Sequence, residues 1–424
     1  MAKVAVVDVK QELSQAVEDV FAPFGGVGQV LAGRKRAFIK VNAIDCRPET
    51  YTSPAVLDTV LKVLRKYGVE DLNVMENCTQ GNFTRMVFAA TDLGKVCRQN
   101  KAKIIYLDEQ PVAEMELPGL GERVRFPRLI IEEFGGQARE AFYLNVPRLK
   151  AHSMSVVTLG TKNQLGLMDQ LDRMKNHNFN LHARLAAIAQ IFRPDFTLID
   201  GVKAVFYGHY PPASVVDRCT ETLNVLVGGP DMLAVDTVGA KILGYAVDEV
   251  PHLALAREQG WGCGRLEEIE VIGDLSRFTK KYPYHLLPEF PPDVKIIKGG
   301  ERCCPEGCEL NTKAVLQFLY LDHQGKGGFT ILMGKGFDRE QLKALRGPVL
   351  LAGKCATQEA LPIIQNNCSK IYTSAECNDL ASTIKALTKL MKVNPLKLVP
   401  VSPIRSLVLL ALAKLHGSRA RVGM

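Results

Sequence analysis

The chain has 424 residues, enough for two or three domains. Hydrophobic residues make up 47% of it and charged residues 23%, which is typical of a globular protein and unlike a disordered one. The net charge of +8 arises at the end of the chain, because eight basic and no acidic residues follow Leu380. The excess of basic over acidic residues is therefore weak evidence for nucleic-acid binding by the body of the protein, and we expect no nucleic-acid partner.

The N-terminus shows no signal peptide, since residues 4–9 already read as a first buried strand. No apolar run reaches the roughly 18 residues that are needed to span a bilayer. Eleven cysteines without an export signal favour a reducing cytoplasm, where they serve as metal ligands, reactive thiols or core residues. We therefore expect a cytoplasmic protein.

Short apolar strands alternate with amphipathic helices through the first 278 residues. This alternation predicts βαβ units, and hence an α/β domain with a large, mainly parallel sheet over residues 1–278. Ligands of such sheets gather at the carboxyl ends of the strands. Each polar residue there has an ordinary structural explanation, but the set as a whole predicts a binding site. The strands are predicted at 4–9, 37–41, 72–75, 103–107, 196–199, 223–227 and 269–272. We expect the substrate to be bound by polar residues at strand ends, Asn42, Glu76, Asn145 and Asp200, and by Asp236.

The stretch at 144–168 carries most of the chemistry. Lys150 and His152 follow a short apolar run and Pro147, and a helix-compatible run from Val156 carries Lys162 and Asn163. Lysine, histidine and asparagine side chains around a strand–loop–helix junction suit an anionic group. We expect Lys150, Lys162 and Asn163 to bind the anion and His152 to act as the acid–base group, with Lys150 beside it. The alternative is a strand end with lysines reaching to solvent.

The same stretch resembles the core signature of domain-of-unknown-function family 362. The resemblance rests on Asn-Val-Pro-Arg-Leu-Lys-Ala-His and Thr-Leu-Gly-Thr-Lys-Asn-Gln-Leu-Gly, with Lys40-Val-Asn42 before them and a Gly-Gly-Pro-Asp segment ending at Asp236 after them. It covers roughly residues 1–275. It implies an association with iron–sulfur clusters, which many relatives carry on an appended ferredoxin-like segment. This chain lacks the usual ferredoxin run of cysteines.

A linker at 279–293 leads to a second predicted α/β domain, 294–392, which we expect to be flavodoxin-like. Its strands, at 294–297, 329–333, 349–351 and 370–372, should place five cysteines on one rim. Such a thiolate group suits an iron–sulfur cluster, expected to be of the 4Fe–4S type, and the helix that follows should lower the thiol pKa values. A zinc site and a set of buried thiols are the alternatives. The five cysteines are Cys303, Cys304, Cys308, Cys355 and Cys377.

Other signals are weak or missing. His177 and His182 lie five residues apart without acidic or cysteine neighbours, which favours substrate contact or plain surface over a metal site. There is no G-x-G-x-x-G after a strand and no P-loop, so a dinucleotide or P-loop enzyme is disfavoured.

We therefore expect an iron–sulfur oxidoreductase that acts on a small anionic metabolite or cofactor, with a separate electron-donor protein. A non-redox acid–base enzyme of the racemase or lyase kind, with a structural metal, is the first alternative. A non-catalytic cluster carrier or assembly partner is the second.

The tail, 393–424, combines basic residues with an apolar run at 407–413. The run is too short to span a bilayer and too apolar to be a solvated helix. It is expected to pack on the body or on another subunit. Peripheral contact with an anionic membrane is the alternative.

Overall fold

The computed structural model describes residues 1–10, 12–136, 139–175, 177–374 and 376–423, without the side chains of Asn178 and Phe179. Two sheets dominate it, and a separate two-stranded hairpin is inserted between β4 and β7 of the large sheet. The strands are β1 (Ala2–Asp8), β2 (Arg36–Val41), β3 (Asp71–Glu76), β4 (Lys103–Tyr106), β5 (Val112–Leu117), β6 (Glu122–Pro127), β7 (Phe142–Val146), β8 (Arg148–His152), β9 (Val156–Thr158), β10 (Phe196–Val205), β11 (Thr220–Gly229), β12 (Ile269–Ile272), β13 (Lys295–Lys298), β14 (Thr330–Met333), β15 (Pro348–Ala352) and β16 (Lys370–Ser374).

Helices cover both sheets, and single 3-10 or π turns connect several of the elements. The helices are α1 (Leu13–Phe21), α2 (Gly26–Leu31), α3 (Pro54–Lys66), α4 (Thr84–Ala90), α5 (Asp92–Gln99), α6 (Arg128–Phe134), α7 (Gly160–Asn163), α8 (Gln170–Met174), α9 (His177–Ile191), α10 (Met232–Ile242), α11 (Pro251–Glu258), α12 (Leu310–His323), α13 (Arg339–Ala344), α14 (Lys354–Ile364), α15 (Leu380–Leu390) and α16 (Pro403–Leu415).

The large sheet has the strand order β12-β1-β11-β10-β7-β2-β3-β4, and the β8–β9 hairpin joins it at β10. The run from β10 to β4 is parallel throughout, whereas β11 is antiparallel to both of its neighbours. The central strand β7 is buried along its whole length, as expected for a parallel strand with helices on both faces. The predicted α/β class with a large, mainly parallel sheet is confirmed.

The small sheet has the order β13-β14-β15-β16, and all of its neighbouring strands are parallel. Helices α12 and α15 pack on one face and α13 and α14 on the other. The flavodoxin-like part of the prediction is not confirmed, because a flavodoxin order interchanges the first two strands, whereas these strands pair in chain order.

The stretch that follows β8 differs from the helix predicted from Val156. It first forms β9, which pairs antiparallel with β8 and aligns Thr158 with Lys150, and only then α7. The tight turn places Val156 at a φ of +65°. A β-branched residue in this region is strained, and such strain is tolerated where the surrounding structure holds it.

The tail forms α16 and a final extended segment. One face of α16, with Leu409, Leu410 and Ala413, packs on Phe83 and Met86 near α4. The expected packing on the body is thus present on one face only. None of the described helices combines the length and apolar character required to cross a bilayer. The large apolar side chains that α16 leaves exposed are Ile404, Leu407, Val408, Leu412 and Leu415.

Candidate functional site

A small cavity of about 100 Å³ lies where β2, β3 and β8 end. Strand order explains its position, because β2 and β3 are parallel neighbours and their carboxyl ends open on the same edge. Its polar lining contains more basic than acidic side chains. These polar residues are Lys40, Asn42, Glu76, Asn77, Thr79, Gln80, Lys150, His152, Thr158, Lys162, Asn163, Arg173, His177, His209, Asn311 and Asn378.

Strand β8 delivers Lys150 and His152 to this cavity. Successive side chains of a strand point to opposite faces, so these two share one face while Leu149 and Ala151 enter the apolar core. The ammonium group of Lys150 donates to the carbonyl oxygen of Thr50 at 3.2 Å. In the described chain it has no carboxylate partner. Burial, together with the neighbouring Arg148 and Lys162, holds the pKa of Lys150 well below its usual range.

Lys162 projects from α7 into the same space. No described residue forms a hydrogen bond or an ion pair with its ammonium group, although Glu76 attracts it at longer range. Burial, with help from Arg173 and Lys40, lowers the pKa of Lys162 to about 7. A cation without a partner that faces a cavity is a binding group for an anion, and a bound anion would raise this pKa again.

Lys40 and Glu76 form a buried ion pair at the back of the cavity, with Nζ and Oε1 2.6 Å apart. The Glu76 carboxylate also accepts the backbone N–H groups of Ala43 at 2.6 Å and Asn77 at 2.8 Å. A Cβ at Gly166 would lie 2.6 Å from Oε1 of Glu76 and 2.8 Å from Nζ of Lys40. Glycine at 166 therefore makes room for the ion pair.

Amide side chains tie the cavity wall together. Nδ2 of Asn42 donates to Oδ1 of Asn163 at 3.1 Å, and Nδ2 of Asn163 donates to Oδ1 of Asn145 at 2.8 Å. Asn145 lies behind the wall and does not line the cavity. Asp236 also lies behind it and accepts the backbone N–H groups of Gly160 and Thr161 at 2.7 Å each. Burial raises the pKa of Asp236 to about 7, against the effect of these N–H groups.

Asp200 has a different position from the one that its strand suggested. Its Oδ2 accepts the backbone N–H of Ser53 at 2.7 Å, just before α3, and lies 3.5 Å from Nη1 of Arg148. It does not line the cavity. The structure thus brings Lys150, His152, Lys162, Asn163, Asn42 and Glu76 together, and leaves Asn145, Asp200 and Asp236 as their supports.

The hydrogen bonds of His152 define which ring nitrogen carries the proton. Nδ1 accepts the backbone N–H groups of Met154 at 3.1 Å and Ser155 at 3.3 Å, both from the turn strained at Val156. The ring stacks on His209 with 3.7 Å between centroids. Burial, with His209 and Lys162, keeps the pKa of His152 well below its usual value. The neutral ring therefore carries its proton on Nε2 and acts as a hydrogen-bond donor.

The five cysteines of the small-sheet region lie along one edge of that sheet. Cys303 and Cys304 follow β13, Cys308 lies in the π turn before α12, and Cys355 opens α14 after β15. Cys377 follows β16. Cys304 and Cys308 contribute to raising the pKa of the Cys303 thiol, and Cys355 and Cys304 contribute to raising that of the Cys377 thiol, so these thiols lie in the same neighbourhood.

A glycine at the end of β15 lets the loop at 303–308, the cysteine loop, approach the sheet. Gly353 has a φ of +92°, and a Cβ there would lie 2.6 Å from Sγ of Cys308. Burial raises the pKa of Cys303 to about 12 and also raises that of Cys377, opposite to the lowering expected from the helix. Among the described residues no three His, Cys, Asp or Glu side chains have the geometry for a single metal ion.

The cysteine edge faces the cavity. Asn311, three residues after Cys308, and Asn378, next to Cys377, both line the cavity and are hydrogen-bonded to each other. The cavity therefore lies between the strand ends of the large sheet and the rim of the small one.

Sequence reasoning gave no role to two cationic residues of this cavity. The sequence does contain a sign of Lys40, because a lysine inside a buried strand is unusual, but Lys40 was noted only as part of the motif that resembles family 362. No pattern in the sequence points to Arg173. It donates to the carbonyl oxygen of Asn77 at 3.1 Å and to Oδ1 of Asn77 at 2.8 Å, and its buried Nε has no partner in the described chain.

Comparison with known proteins identifies part of the chain. No curated protein and no solved structure matches it significantly. Residues 38–241 match the family described as Domain of unknown function (DUF362). The matched segment begins in β2 and ends in α10, and so contains the cationic cavity wall but none of the five cysteines. Residues 38–241 of this chain belong to the DUF362 family.

Proposed function

We propose that this protein is an iron–sulfur oxidoreductase that acts on a small anionic metabolite or cofactor. The observation that carries the proposal is the position of the cavity. It contains Lys150 and Lys162, which have no carboxylate partner in the described chain, and its wall includes Asn311 and Asn378, which lie close in sequence to Cys308 and Cys377. The cavity suggests binding of an anionic substrate, and the cysteines suggest electron transfer. Because the two lie side by side, we infer that they act in one reaction.

The cysteine rim fits a cluster in its donor chemistry. Four of the thiols at Cys303, Cys304, Cys308, Cys355 and Cys377 would hold a 4Fe–4S group, and Gly353 leaves space for the Cys308 sulfur. A cluster needs ligand sulfurs about 7 Å apart rather than the closer set of a single ion. When bound, the cluster supplies one-electron transfer.

The chain's own side chains bind and orient the substrate. Lys150 and Lys162 provide positive charge for an anionic head group, and Asn42 and Asn163 fix its position through their shared hydrogen bonds. His152 donates a hydrogen bond from Nε2 and so polarises an oxygen of the substrate, as an uncharged histidine can. This role differs from the general base expected from sequence, because the Nδ1 lone pair is already used by the backbone.

A second candidate is a non-redox acid–base enzyme. It draws on Lys162, whose pKa of about 7 suits an amine that takes up and releases a proton near neutral pH. A non-catalytic cluster carrier is a further alternative, but the cation-lined cavity favours a protein that binds a small molecule.

Elemental analysis after anaerobic purification tests the proposal. Iron and sulfide in equal amounts, with a broad absorption that reductant bleaches, are expected. Cys308→Ser should lose the iron. Cys368→Ser is the matched control, because Cys368 lies beside Leu345 in the core of the same sheet. An iron-free protein after anaerobic reconstitution would refute the oxidoreductase and leave the acid–base enzyme.

Partners follow from the same proposal. Electrons would arrive from a separate donor protein, and both proteins would lie in the cytoplasm. We assign the exposed face of α16 to a second copy of the chain rather than to a membrane. Arg419 and Arg421 of the tail pair with Asp169 and Asp379 of the body, so they offer little charge to anionic lipids.

A further inference from the structure

A second, larger cavity of about 610 Å³ adjoins the cationic one. Both are lined by Thr79, Gln80, His209, Asn311 and Leu380, so they share a boundary. From this pair of cavities we infer that the substrate is an organic anion with two parts, an anionic head in the inner cavity and a predominantly apolar body in the outer one. The inference rests on the anion site of the proposed function and adds the class of the substrate.

The inner cavity is too small for more than a head group. About 100 Å³ lies well below the roughly 300–1,000 Å³ of sites for small organic ligands, so the inner cavity accommodates a carboxylate or a phosphate but not a whole ligand of that kind. Any larger substrate must therefore extend past the shared boundary. The outer volume lies within the range of about 300–1,000 Å³ that is usual for sites of small organic ligands.

Apolar side chains from separate parts of the chain build the outer wall. Helix α12 contributes Val315 and Phe318, α15 contributes Ile384, and the segment before α16 contributes Leu398 and Pro400. The tail thus forms part of this wall. Contact with such a surface stabilises an apolar body by removing its carbon atoms from water.

Two cationic side chains, Arg47 and Lys397, and two carboxylates, Asp45 and Asp322, also line the outer cavity. The guanidinium carbon of Arg47 lies 3.7 Å from the ring centroid of Phe318 and 4.9 Å from that of Tyr210. In the described chain no carboxylate forms an ion pair with it. The outer end of the body can therefore carry one polar or unsaturated group against Arg47, while the rest remains apolar.

Calorimetric titration of the full-length protein, as purified anaerobically, with phosphate compounds tests this inference. The probes are inorganic phosphate and the methyl, butyl and hexyl monophosphates. Affinity should rise about fourfold for each added methylene, because each one is removed from water. If phosphate and methyl phosphate bind but hexyl phosphate binds no better, the two-part substrate is refuted and the anion site stands. If none of them binds, the anion site is refuted as well.

Two variants test whether the alkyl chain of the ligand binds in the outer cavity. Ala314→Phe fills the wall from α12, and Ser214→Trp adds bulk at an exposed lip, where folding is little affected. Each should weaken hexyl phosphate at least tenfold and leave methyl phosphate unchanged. Leu407→Lys is the control for binding to the exposed face of α16 and should change neither affinity. Loss of hexyl phosphate binding in that control alone would overturn the assignment.

Discussion

His177 of the large-sheet region lies against Glu306 of the cysteine loop, with Nδ1 2.5 Å from the Glu306 carbonyl oxygen. Burial lowers the pKa of His177 to about 3, so the ring is neutral and donates its Nδ1–H to that oxygen. Glu306 lies between Cys304 and Cys308. The same histidine lines the cationic cavity, so one side chain contacts both halves of the candidate site.

Removal of one cavity lysine should weaken anion binding. Lys150→Met and Lys162→Met should each weaken sulfate binding by about 10- to 100-fold, the usual effect of losing a charged hydrogen bond. Neither should lower the melting temperature, because neither lysine has a carboxylate partner in the described chain. Lys103→Met, at an exposed lysine paired with Asp71, is the control. Unfolding of the two cavity variants would instead show that these lysines are structural.

Anion affinity should fall as pH rises above about 7. Lys162 has a pKa of about 7 in the free folded protein, below its usual value, and must be charged to attract sulfate. Above this pKa each pH unit should cost about tenfold in affinity, since one proton must be taken up on binding. The groups that face Lys162 include Lys40, Arg173 and Glu76.

The variant Lys162→Met distinguishes this lysine from its neighbours. The affinity of this variant should change with pH between 7 and 9 less steeply than that of the wild type, because one of the two lysines that take up a proton is gone. A wild-type affinity that is constant over this range would contradict the assignment. Stability should show the reverse trend, rising from about pH 7 towards the unfolded pKa of about 10.4, because the unfolded chain then holds a proton that the folded one has lost.

His152 should be neutral between pH 6.5 and 8. Its pKa is lowered well below the usual value, and its Nδ1 accepts two backbone N–H groups. Nitrogen-15 NMR of the imidazole should show a protonated Nε2 and an unprotonated Nδ1 at every pH in this range. The exposed His416 provides an internal reference. A His152 signal that titrates near 6.5 would restore the general acid–base role.

The exposed face of α16 should control self-association. Leu407 is 67% exposed, so Leu407→Lys should reduce dimerisation in analytical ultracentrifugation without changing the melting temperature. Leu409→Lys, on the face that packs on Phe83 and Met86, should instead lower the melting temperature. Flotation of the wild-type protein with anionic but not neutral liposomes would point to a membrane instead.

The order of elements could be read from the sequence because the signals are local. Buried parallel strands such as β2, β3 and β14 are short apolar runs, and the helices between them keep a helical period. The β8–β9 hairpin could not be read in this way, since its turn places Val156 at a positive φ that no local preference favours. Strand β9 depends for its stability on pairing with β8.

Residue chemistry and strand alternation by themselves singled out Lys150, His152 and Lys162 and the five cysteines at strand ends. Tertiary structure decided the rest. Only folding shows that Asn163 bonds to Asn42, 121 positions away in the chain. Only the folded structure shows that Asp200 and Asp236 support the cavity wall and do not line the cavity. The partners of Glu76 and His152 depend on distances through space, and burial lowers the pKa of His152. The cysteine rim lies next to the cationic cavity because of the way the two sheets pack. This packing cannot be read from the hydrophobic periodicity of the sequence.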